Sequence, residues 1–229
     1  MFHHIIAIIG ASGSGKTSLS LQAQAVGIPS IVSYTTRPMR EGEHDGIDHH
    51  FITDEVAEQM LTDHRELAKT IYGGHLYFAL FNQLRHLPIC TYVIDEIGFH
   101  NMKDNINELG KFGISKDEHY KIYPLIIERP DTTGIAADRT ARDTDRPVCC
   151  SSIEALSDNL AAGFGCRIRV INDSPSAAHF NSWSIAFAVA FFTAIKTAQG
   201  IKTCTLHTSD DSVSSIQKKL ILSYDINQY

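Results

Sequence analysis

Tryptophan occurs once, methionine four times and proline seven times in 229 residues, and the five cysteines include no C-x-x-C pair. The scatter of Cys90, Cys149, Cys150, Cys166 and Cys204 argues against both a disulfide framework and a thiolate metal site, and predicts reduced thiols in a cytoplasmic setting. Positive charge is also in short supply. With 20 Lys and Arg against 26 Asp and Glu, the formal charge is −6, so no nucleic-acid polymer is expected as a partner. Any anionic ligand must then be gripped by a local cluster of cations. Long apolar runs are scarce as well: Ile185 to Ile195 is eleven residues, too short to cross a bilayer, and predicts a buried helix with no membrane partner. The opening MFHHIIAIIG lacks the basic start and long apolar stretch of a leader, so export is not expected.

What is present is ordinary for a folded chain, 43% hydrophobic and 20% charged, and long enough for one large core with insertions. His4 to Ile9 is a nearly continuous apolar run that stops at Gly10, as a strand buried on both faces would. Lys16 to Val26 reads as a helix closed by Gly27, with Pro29 just beyond, and Ser30 to Tyr34 as the next strand. Ile89 to Ile94 predicts a strand, about Phe99 to Leu109 a helix stopped by Gly110, and Lys121 to Ile127 a strand that Pro124 assigns to an edge or a bulge. Ser151 and Glu154 form a capping box for a helix to Gly163, before a strand from Cys166 to Ile171. A further helix is expected from Asp211 to Leu222. The alternation predicts an α/β fold, a parallel sheet covered by helices on both faces. Its core would comprise residues 1–33, 89–129 and 149–229, interrupted by polar insertions at 34–88 and 130–148.

Gly10, Ala11, Ser12, Gly13, Ser14, Gly15, Lys16 and Thr17 match G-x-x-x-x-G-K-[ST] at every fixed position, between a strand and a helix. The glycines let successive N–H groups curl around phosphate oxygens at a helix N-terminus. Lys16 would reach the β- and γ-phosphates of ATP, and the Thr17 hydroxyl would ligate Mg²⁺. A Gly/Ser turn that merely joins strand to helix is the competing explanation.

Downstream, SYTTRPMREGEHDGIDHHF, residues 33 to 51, is a long polar stretch. It resembles the acceptor-binding segment of guanylate kinases, S-x-T-T-R-x-x-R-x-G-E-x-D-G-x-x-Y-x-F, and the resemblance extends to Glu66, Gly74 to Tyr77, Ile94 to Gly98, Arg139 and Arg142, and Val170 to Asp173. It implies a P-loop nucleoside monophosphate kinase: ATP with Mg²⁺, GMP or dGMP as acceptor, an acceptor-binding insertion at 34–88 and an arginine lid at 130–148. It further implies acceptor contacts from Ser33, Arg37, Arg40, His49, Glu66, Tyr77 and Asp95, with Ser33 and Glu66 on the guanine. Lys16, Arg37, Arg139 and Arg142, with Arg146 near them, would neutralise the transferring phosphoryl group. Physics supports the arginines independently, because two anions held end to end need fixed cations and a guanidinium binds phosphate bidentately.

Four positions depart from the family pattern: His49 stands where tyrosine is usual, Tyr77-Phe78-Ala79 replaces Y-G-[ST], Glu66 lies two residues farther than usual from Tyr77, and the lid arginines are one residue closer together. Several bland explanations stay open. Arg37 and Arg40 could pair with Glu41 and Glu43 on a solvated loop, Asp95 could cap a helix, and Tyr72, Tyr77 and Phe78 could be core under the acceptor insertion, the alternative being a stacking platform. His44, His49 and His50 could bind zinc, although no second ligand group stands nearby. A same-fold kinase for another monophosphate or a ribose bisphosphate, and a catalytically dead protein-binding module, are the rival functions; retained Lys16 and Thr17 disfavour the second. Oligomeric state is not encoded in any of these features.

Overall fold

Strand β1 (Phe2–Gly10) is the axis of the fold, and the pleat explains its isoleucines. Ile6 and Ile8 point into one core, while Ile5, Ala7 and Ile9 point into another on the opposite face. The computed structural model describes residues 2–111, 119–129, 168–196, 201, 204–209 and 212–220. Arg139, Arg142 and Arg146 and the helix expected from Ser151 to Gly163 lie outside these residues.

After β1 come α1 (Lys16–Ala25), β2 (Ser30–Ile31), β3 (Tyr34–Thr35), β4 (His50–Phe51), α2 (Asp54–Asp63), β5 (Glu66–Tyr72), β6 (His75–Leu80) and a short 3₁₀ turn (Phe81–Leu84). The rest are β7 (Ile89–Val93), α3 (Glu96–Lys111), β8 (His119–Glu128), β9 (Ile168–Ile171), α4 (Ala177–Lys196), β10 (Cys204–His207) and α5 (Val213–Leu220). Six strands form one parallel sheet in the order β10-β9-β8-β1-β7-β2. Helices α1, α4 and α5 cover one face through Leu19, Ala23, Trp183, Phe187, Phe191, Ile216 and Leu220. Phe99 and Met102 of α3 pack into the core on the other. The expected α/β architecture is therefore present. A second sheet, β4-β3-β6-β5, is mixed in direction and closes its own small core with Ala57 of α2, Phe78 and Leu80.

Three expectations need correction. Ser30 to Tyr34 is not one strand: Ile31 is buried in the large sheet's core, whereas Tyr34 stacks on His50 and Phe78 in the small sheet, so the chain changes sheets at Val32 and Ser33. Strand β8 is internal, paired with β1 along its length and with β9 from Leu125 onward. Pro124 falls one residue before the second pairing starts, where β8 has a described neighbour on one side, so its missing N–H is tolerated. Helix α3 begins three residues earlier than expected, because Asp95 caps it: the Gly98 N–H donates to Asp95 Oδ1 at 2.7 Å.

Helix α4 is twenty residues, long and apolar enough to span a bilayer by length and composition, so the eleven-residue argument does not hold. Its burial supports the buried-helix reading on other grounds, since Phe180, Trp183, Phe187 and Phe191 insert into the core beside α1.

Candidate functional site

The loop between β1 and α1 is shaped by close contacts as well as by glycine torsions. Gly13 and Gly15 sit at φ 84° and 110°, a region that L side chains avoid. A Cβ on Gly10 would lie 2.4 Å from the Ile127 carbonyl oxygen, and one on Gly15 would lie 2.5 Å from the Phe180 ring. From β9, the Asn172 amide donates to the Ser14 carbonyl at 2.9 Å. Thus strands β8 and β9 and helix α4 all press on this loop from behind. The Ser12 and Ser14 hydroxyls are buried with no hydrogen-bond partner among the described residues. Such orphaned donors suit a phosphate oxygen supplied from outside. Lys16 Nζ folds back to donate to the Gly10 and Ala11 carbonyls, each at 2.7 Å.

Across from the loop stands the polar segment. Arg37 is 6% exposed, and its guanidinium is gripped by Glu43 in a bidentate pair at 2.8 and 2.9 Å. It also donates to the Tyr77 hydroxyl at 3.0 Å and the Pro38 carbonyl at 2.7 Å. Burial opposes the charges of this pair. The hydrogen bonds and attraction between them outweigh it, raising the Arg37 pKa and lowering that of Glu43. The surface-loop explanation for Arg37 therefore fails: this is a buried, oriented cation, and the partner is Glu43.

His49 Nδ1 lies 2.9 Å from the Ser33 hydroxyl, with its ring edge-on to Tyr77. Burial, then the Arg37 charge, holds its pKa below the ordinary imidazole value. Among the described residues no group of three or more His, Cys, Asp or Glu could hold a metal ion, so the zinc explanation for His44, His49 and His50 gains no support.

One cavity of about 420 Å³ joins the two regions. Gly10, Ser12, Lys16 and Thr17 line one end, and Ser33, Arg37, Arg40, His49 and Tyr77 the other, with Asp95 between the elements as both cap and wall. Ala11, Gly13, Ser14 and Gly15 complete the loop's turn without lining the space. Thr17 is exposed at the first residues of α1 and, with Asp95, offers oxygen ligands of the kind Mg²⁺ takes. Tyr72 and Tyr77 line the cavity, whereas Phe78 is core.

Glu66 is not on the wall. Its carboxylate accepts from Lys69 Nζ at 2.6 Å and from the Asn105 amide at 3.3 Å. Ala68, Lys69, Thr70 and Tyr72 line the cavity instead. Sequence reasoning missed Ala68, Lys69 and Thr70, together with Asn172 and Phe180 as loop supports, and offered Glu43 as an Arg37 partner only on a solvated loop. The alternation in ELAKTIY carries a signal for the first group, while the loop supports depend on contacts between residues far apart in the chain.

The family model for guanylate kinase matches residues 3–87. A guanylate kinase of Helicobacter hepaticus is 30% identical over 115 residues, 47% of this chain and 56% of that protein. One from Chlorobaculum tepidum is 26% identical over 159 residues, 68% of this chain and 74% of that protein, and one from Nitrosococcus oceani is 42% identical over 72 residues, 31% and 36% of the two chains. The first of these matches thus spans about half the length of the relative. In shape the chain is similar to a guanylate kinase of Anaplasma phagocytophilum, with a TM-score of 0.52, 16% identity and 86% of each chain covered.

Proposed function

We propose that this chain is a member of the guanylate kinase family and transfers the γ-phosphoryl group of ATP to the phosphate of GMP or dGMP, yielding ADP and the nucleoside diphosphate. The carrying observation is the single cavity with a phosphate-shaped loop at one end and a buried, oriented arginine at the other. The attacking atom is an acceptor phosphate oxygen, already anionic at neutral pH, so the reaction needs no strong general base. It needs two anions held in line with their repulsion cancelled.

The loop amides and the Ser12 hydroxyl would hold the ATP phosphates, with Lys16 swinging from the Gly10 and Ala11 carbonyls onto the β/γ oxygens. Thr17 and Asp95 would hold Mg²⁺, which supplies charge neutralisation across the β- and γ-phosphates. Arg37 and Arg40 would fix the acceptor phosphate, with Glu43 and Tyr77 holding the Arg37 fork in place. Ser33 and His49 stand beside them on the same wall. The small sheet would serve as the acceptor-binding unit, and residues 130–148, with Arg139 and Arg142, as a lid that excludes water. The reading includes a cytoplasmic setting, in keeping with cysteines that show no C-x-x-C pair.

A coupled assay for ADP formation tests this reading. GMP-dependent turnover in wild type that disappears in Lys16→Ala, with the melting temperature retained, is the expected result. ADP formation independent of any monophosphate would reject the transfer.

A further inference from the structure

We propose that the acceptor end of this cavity does not select guanine over hypoxanthine: it binds purine nucleoside monophosphates through the phosphate and the shape of the base. This rests on the monophosphate-binding reading above and widens its acceptor class. Guanine differs from hypoxanthine by one donor, the exocyclic amine beside N1–H. A carboxylate that turns both oxygens toward the base reads both donors together.

Each of the described carboxylates on the wall already has an oxygen engaged within the protein. Glu43 spends both oxygens on Arg37, with a further bond from the Arg40 N–H. Asp48 Oδ2 accepts the His44 N–H, and Asp95 Oδ1 accepts the Gly98 N–H. Glu66, the remaining candidate, is off the wall for a reason visible in the strand pairing. Ala68, Thr70 and Tyr72, at every second position, line the cavity together with Lys69, and an unbroken pleat would put residue 66 on the face of the first three. The register of β5 against β6 shifts between Glu66 and Ala68, and a shift of this kind re-aims the side chain beyond it. Lys69 and Asn105 then hold the displaced carboxylate. Next along the strand on the wall is Ala68, paired across the strands with Ala79, both buried methyl groups with nothing to donate or accept.

The consequence follows from how hydrogen bonds discriminate. A site built to bond a substrate group rejects analogues lacking it by about 10⁴-fold or more, whereas an unmatched wall discriminates by about 10²-fold at most.

Isothermal titration of the full chain with GMP and with IMP, without ATP, reads this independently of turnover. The expected ratio of dissociation constants is below tenfold; a GMP preference above tenfold, or binding of neither, overturns the proposal. Two variants sharpen it. Glu66→Gln should leave the GMP to IMP ratio unchanged, and a selective loss of GMP binding would show that Glu66 reads the base after all. Ala68→Glu, checked for folding by circular dichroism, should raise the GMP preference at least tenfold, with Ala79→Ser as the milder alternative should Ala68→Glu not fold. A ratio unmoved in whichever of these two variants folds contradicts the assignment of this wall. Failure of phosphoryl transfer with every monophosphate would overturn the kinase reading and would leave these binding ratios measurable.

Discussion

The two ends of the cavity are built on different principles. At the Gly10–Thr17 end, the proposed ATP site, the geometry is carried by backbone: glycine torsions, a carbonyl too close for any Cβ, and an amide clamp from Asn172. At the proposed acceptor end, around Arg37, it is carried by side chains, a buried guanidinium held by a carboxylate, a phenol and a carbonyl. A backbone site recognises phosphate in any setting. A side-chain site is specific only as far as each group is aimed, and one register shift can change what it reads.

Substitutions can break this contrast at either end. The largest effect is expected from Lys16→Ala, which should lower turnover by about 10²–10³-fold, as when a preorganised electrostatic group is lost, with monophosphate affinity measured by titration unchanged. Loss of monophosphate binding as well would mean that the two ends are not separable. Glu43→Ala should be next, leaving Arg37 buried without its main partner; a destabilisation of about 3 kcal/mol in urea unfolding and a marked rise in the acceptor KM are expected. Gly15→Ala should cost about 1–3 kcal/mol through the positive φ and the Phe180 contact, and should abolish ATP binding before it affects monophosphate binding. Removing one hydrogen bond with Asn172→Ala should weaken ATP binding by about 1 kcal/mol and leave the acceptor end untouched in paired titrations.

The smallest effect concerns acid. The folded state holds the His49 pKa below 6.5, so between that folded value and 6.5 the unfolded chain binds more protons and stability rises with pH. Stability is therefore lost as pH falls below about 6.5, and His49→Gln should flatten that limb of the melting temperature profile. His4, also lowered by burial and then by Lys121, contributes with the same sign and should remain in the variant.

The same contrast explains what the sequence made legible. Gly10 to Thr17 is a local pattern flanked by a strand and a helix, and the loop lies where that pattern predicts. The apolar β1 run and the isoleucines at its centre were equally readable, because burial on both faces leaves a continuous signature. Arg37 and Tyr77 could be named as a pair of candidates, but only the folded small sheet brings them to 3.0 Å. Glu66 looked suitable by type and defeated the reading, since a pleat irregularity leaves no mark in composition. Asp95 satisfied two explanations at once, capping α3 while lining the cavity. Asn172 and Phe180 act on Ser14 and Gly15 across more than 150 positions of chain, a separation over which no spacing rule operates.

The central claim is that one cavity holds both nucleotides nose to tail, and the most direct measurement is inhibition by adenosine and guanosine joined through a five-phosphate chain. Because linking pays the second binding cost in advance, this compound should compete with ATP and with GMP alike and bind at least 10²-fold tighter than either. Competition with one nucleotide alone, at an affinity no better than that nucleotide's own, would contradict the shared cavity.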